Sequence, residues 1–86
     1  MPEKPDRTPK EVKDPFVRRL TDEFKKARVE RGLSQKKLAE LAGVGRSGLV
    51  TFESYHRMPS AWFCKRLADG LGVPLAELVA RAEKGK

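Results

Sequence analysis

The stretch RGLSQKKLAELAGVGRSGLVTF, residues 31–52, decides the fold. Ser34 is a good N-cap, and Leu38, Leu41 and Ala42 behind it recur at helical spacing, so they are expected to face inward. Gly43-Val44-Gly45 then breaks the period. A second short helix is expected from Gly45 or Arg46 to Ser54, with Leu49 and Phe52 on its buried side. Each position has a physical task where two helices meet at a tight turn. Ala39 is small where the second helix crosses, and Gly43 supplies the positive φ that reverses the chain. Val44, Leu49 and Phe52 pin the second helix to the rest of the fold. Together they spell a helix-turn-helix.

Outward from this centre the helical period continues on both sides. Upstream, Asp14-Pro15 reads as a cap followed by proline at the first helical position. Phe16, Val17, Leu20, Phe24 and Ala27 follow at helical spacing, and Gly32 closes the helix. Downstream, Pro59-Ser60 opens a fourth helix with Ala61, Cys64, Leu67, Ala68 and Leu71 inward, closed by Gly72. Pro74 starts a fifth, continued by Leu75, Leu78, Val79 and Ala82. Strand-like alternation and hairpin dipeptides are absent. The expected fold is all-α, a five-helix bundle over residues 15–83, with the helix-turn-helix at 34–54. Residues 1–14, with Pro2, Pro5, Pro9 and the lone branched aliphatic Val12, bury too little to fold and read as a flexible arm. Residues 84–86 read as a tail.

Composition narrows the function. A chain of 86 residues makes one small domain that hides only about 60% of its unfolded surface, too little for a large catalytic cavity. No pair of catalytic groups is placed for chemistry, so an enzyme is not expected. Neither a membrane span nor a secretory segment is present in the sequence. Cys64 is the single cysteine, which precludes an internal disulfide and suits a reducing, cytoplasmic setting. It reads as a small core residue. With His56 as the one histidine, no zinc site can be assembled, and no metal or cofactor is expected. The net charge is +7, which points towards a polyanion. Lys4, Arg7, Lys10 and Lys13 balance Glu3, Asp6, Glu11 and Asp14. The whole excess therefore lies in the part that folds.

The segment ARVERGLSQKKLAELAGVGRS (residues 27–47), joined by ADGLGVPLAELV (residues 68–79), resembles the Cro/C1-type (XRE-like) helix-turn-helix regulators, a lambda-repressor-like family. The resemblance implies a transcriptional regulator that binds double-stranded DNA, commonly as a homodimer on a roughly palindromic operator. It implies that Gln35–Ala42 lies across the DNA backbone and that the next helix enters the major groove. Positions matching Arg46, Ser47 and Thr51 would touch base edges, and the one matching Gln35 a phosphate. Helical spacing adds Val50 to the outward side, suited to a thymine methyl. Lys36, Lys37 and Arg57 would supply further backbone attraction. Positions matching Arg28 and Glu53 form an ion pair in the family that ties the first helix to the end of the recognition helix.

Departures from the pattern leave alternatives open. Gly45 stands where Ser or Thr is usual, removing a side-chain cap, and Gly48 inside the recognition helix costs roughly 1 kcal/mol of propensity. Tyr55 replaces a frequent turn glycine, so the loop Tyr55–Met58 is expected to take another path. Trp62 and Phe63 fall on outer or flanking positions. Either they pack on the first helix through Phe16 or Val17, or they form a homodimer surface. These features also admit a rival: a protein-interaction module, or an antitoxin bound to a partner such as a toxin, that keeps the fold with weak DNA reading.

Overall fold

The computed structural model describes residues 11–85. Every regular element among them is an α-helix: α1 Pro15–Glu30, α2 Gln35–Ala42, α3 Arg46–Glu53, α4 Ala61–Leu71 and α5 Leu75–Lys84. Local chemistry sets the starts. Asp14, Ser34 and Ser60 accept the backbone N–H groups of Val17, Lys37 and Phe63, each at 3.0 Å. Gly45 starts α3 with no side-chain cap. α2 ends on Gly43 at φ +70, the left-handed conformation that the tight turn requires.

The core sits where α1 lies against α5, α2 crosses α4, and α3 packs on both α1 and α2. Three rings form its spine. Phe24 of α1, Phe52 of α3 and Phe63 of α4 meet edge to face with centroids 5.7 and 5.4 Å apart. Leu38, Leu49, Leu67, Leu78 and the polar Thr21 are fully buried around it. α2 and α4 approach closely at Gly70, where a Cβ would stand only 3.0–3.1 Å from Ala42. Small residues on both helices, Ala39 and Ala42 on one and Gly70 on the other, let the axes come this close. Two arginines then satisfy helix-end carbonyls. Arg66 Nε donates to the Ala42 carbonyl at 2.8 Å, and Arg19 Nε to the Ala82 carbonyl at 2.7 Å.

Four sequence expectations change. Phe63 is 2% exposed and belongs to the core, so it forms no part of a docking surface. Ala61 faces solvent instead. On a helical wheel the two lie about equally far from the buried centre of α4, and the larger apolar side chain takes the inside. Leu41 is 51% exposed, because α2 buries Leu38, Ala39 and Ala42. Residues 11–14, read as the end of a flexible arm, pack on the domain. Val12 is buried, its N–H donates to the Tyr55 carbonyl at 2.6 Å, and Arg18 Nη1 donates to its carbonyl at 2.9 Å. The rest of the expected arm, residues 1–10, and Lys86 of the tail lie outside the described residues.

Candidate nucleic-acid interface

The outward side of α3 follows from its inward one. With Leu49, Phe52 and Glu53 buried, the helical period turns Ser47, Val50 and Thr51 away from the core, with Arg46 at one flank. Arg46, Ser47, Val50 and Thr51 line one open concavity. Arg46 and Ser47 are exposed, Val50 and Thr51 half-buried. Among the described residues no carboxylate pairs with Arg46. Thr51 Oγ1 donates to the Ser47 carbonyl at 2.8 Å, so its hydrogen is engaged and its oxygen lone pairs face outward as acceptors.

A buried carboxylate anchors the far end of this helix. Glu53 is 4% exposed, and Arg28 grips it with two parallel bonds, Nε to Oε2 at 2.7 Å and Nη2 to Oε1 at 3.0 Å. Arg28 Nη1 also donates to the Leu33 carbonyl at 2.7 Å. Gln35 Nε2 donates to Glu53 Oε1 at 3.0 Å. One carboxylate thus ties the end of α3 to α1 and to the start of α2, in the bidentate geometry that gives an arginine pair its directional strength. Gln35 was expected to hold a phosphate. One of its amide hydrogens is engaged by Glu53, which leaves the second hydrogen of the amide to bond elsewhere.

After α3 the chain turns through Tyr55, whose φ of +66 makes it the one non-glycine in the left-handed region among the described residues. It takes the left-handed backbone conformation of the glycine it was read as replacing. Side-chain contacts hold it there. Its hydroxyl donates to Asp22, and the Arg18 guanidinium lies 4.1 Å from the ring centroid. The bond to Asp22, and then burial, raise the phenol pKa. This contribution to stability is therefore present below the unfolded phenol value of about 10 and is lost as pH rises through the higher folded one. Sequence reasoning missed this latch and its partner Val12. The one signal was that Val12 is the sole branched aliphatic residue in an otherwise polar segment.

The remaining expected backbone contacts are Lys36, Lys37 and Arg57. Lys36 and Lys37 are exposed on α2, and His56 is exposed in the loop. Arg57 is half-buried, its guanidinium stacked 4.0 Å from the Phe63 ring centroid. Cys64 is buried, and burial pushes its thiol pKa up, so it stays a core thiol. Among the described residues no helix is long and apolar enough to cross a membrane.

Among the described residues, five helices, a left-handed glycine between α2 and α3, and an outward α3 face define a helix-turn-helix domain. Residues 24–78 match the helix-turn-helix family HTH_3, and the chain belongs to it. Over 64 residues it is 35% identical to the cryptic phage CTXphi transcriptional repressor RstR of Vibrio cholerae, a match covering 74% of this chain and 58% of that repressor. The chain thus spans little more than half of that relative's length. The solved restriction-modification controller protein C.AhdI from Aeromonas hydrophila is 32% identical, with a TM-score of 0.67 over 73% of this chain and 94% of its own. The wild-type controller protein C.Esp1396I superposes with a TM-score of 0.76 over 86% of this chain and 99% of its own, at 19% identity, a likeness of fold.

Proposed function

We propose that this protein is a DNA-binding transcriptional regulator that reads double-stranded DNA with α3. The observation carrying this reading is the outward α3 face, where Arg46, Ser47, Val50 and Thr51 share one concavity on a helix oriented from behind by Glu53. Arg46 offers a bidentate donor pair to guanine, Ser47 and Thr51 offer hydroxyl oxygens, and Val50 offers a methyl-sized apolar contact. Lys36, Lys37, Arg57 and the N–H groups at the start of α2 hold the phosphates on either side. The protein acts by occupancy of its operator.

Duplexes selected from random DNA by the wild-type protein test this assignment. Arg46→Ala is expected to lose about 1–3 kcal/mol of discrimination at one base position. Lys36→Ala is expected to weaken binding to all sequences alike. Equal loss of preference in both variants would contradict the division of roles.

The finer reading is a homodimer on a roughly palindromic site, which would set two α3 helices in successive major grooves about 34 Å apart. Trp62 supports it. It is 61% exposed on α4, with the Arg66 guanidinium 5.8 Å from its ring centroid, and aromatic side chains are enriched at protein interfaces. Sedimentation is expected to show a dimer for the wild type and dissociation for Trp62→Ala. A wild-type monomer that instead captures a partner protein through Trp62 would favour the antitoxin or interaction-module reading.

A further inference from the structure

We propose that Gly48 is a seat for Arg57, kept free of a side chain so that the guanidinium stands beside α3 as a preset clamp for a DNA backbone phosphate. The inference rests on the DNA-binding reading above. Gly48 lies in the third position of α3, between the buried Phe52 and the outward Ser47 and Thr51 on the helical wheel. A Cβ there would clash with Arg57 Nη1, while the Phe63 ring would be 3.9 Å away, at ordinary contact distance. The space that glycine leaves open is therefore filled by one group, the Arg57 guanidinium.

Two surfaces fix that group. Gly48 borders it on one side, and the Phe63 ring covers one of its faces at 4.0 Å. Stacking uses the π face of a guanidinium, and with Nη1 against Gly48 the in-plane edge left for a ligand is that of Nε and Nη2. No carboxylate among the described residues pairs with it. Phe63 is itself locked by Phe52, so the arginine rests on the same aromatic spine that holds α3. Arg46 and Arg57 consequently flank the outward α3 face from opposite sides. A long arginine that is already ordered loses less rotamer entropy when a phosphate arrives. Phosphate is the matching ligand, since its oxygens accept two parallel N–H bonds from a planar fork.

Gly48→Ala separates this role from an ordinary helical glycine, because the two predict opposite outcomes. Alanine improves helix propensity, and the group it displaces is the far end of a flexible side chain, so thermal stability is expected to hold or rise. Affinity for a selected duplex is nevertheless expected to fall about tenfold, equally for specific and scrambled sequences, as one charge-assisted contact is lost. Arg57→Ala is expected to give the same uniform loss and to reduce the log–log salt slope by about 1. In the Arg57→Ala background, Gly48→Ala should then change affinity little. If the wild type binds DNA and Gly48→Ala binds equally well, or if the two losses simply multiply, the seat is overturned while the regulator reading stands. If the wild type shows no salt-sensitive binding, the regulator reading itself fails, and the seat with it.

Discussion

Glu53→Ala is expected to destabilise the domain by about 3–5 kcal/mol, because removing one partner of a buried ion pair leaves the other charge uncompensated. Glu53 is nearly inaccessible and accepts from Arg28 twice and from Gln35 once. Its loss would strand a guanidinium that is 16% exposed and free the start of α2. A domain of this size has only about 5–15 kcal/mol of stability in total, so the variant should sit near its unfolding threshold. Glu53→Gln keeps the shape and two acceptor lone pairs but loses the charge, and should be milder. Replacing both residues with apolar ones of similar volume should recover much of the loss, since an intact buried pair is often worth no more than good packing. Urea denaturation of the three variants checks this. Equal stability of Glu53→Ala and wild type would show that the pair carries little of the link between α1 and α3.

Phe52→Ala is expected to cost about 3–5 kcal/mol, by lost transfer energy and by the cavity it leaves. The ring is fully buried between Phe24 and Phe63. Its removal takes away two edge-to-face contacts, each worth about 0.5–1.5 kcal/mol beyond area alone. Phe52→Leu refills part of the volume and should lose mainly the aromatic terms. Because Phe52 carries α3 and Phe63 carries Arg57, even the leucine variant should weaken DNA binding more than its stability loss alone explains. Thermal melts paired with binding at a temperature where each variant is folded would separate the two effects.

Much of this fold can be read from the chain because its signals are local. Asp14-Pro15, Ser34 and Ser60 cap helices, and Gly43 and Gly72 end them, through contacts within three or four residues. The outward side of α3 was legible for the same reason. Given Leu49 and Phe52 inside, the period leaves little choice for Ser47, Val50 and Thr51. What was not legible depends on partners distant in sequence. Whether Ala61 or Phe63 faces inward on α4 is settled by the ring of Phe52, and the place of Leu41 by where α4 crosses α2. Gln35 looked like a surface residue until Glu53, eighteen positions on, drew its amide inward. Gly48 read as a weak point in a helix. It takes a loop arginine and an α4 ring to give the missing side chain a purpose.

Salt dependence of DNA binding tests the central claim most directly. Wild-type protein is titrated onto a duplex selected from random DNA, at salt concentrations from about 50 to 200 mM. The logarithm of the association constant is predicted to fall linearly with the logarithm of salt, with a slope near −0.9 for each phosphate neutralised by Lys36, Lys37, Arg57 and their neighbours. Undetectable binding at the lowest salt, or an affinity indifferent to salt, would contradict a role in reading DNA.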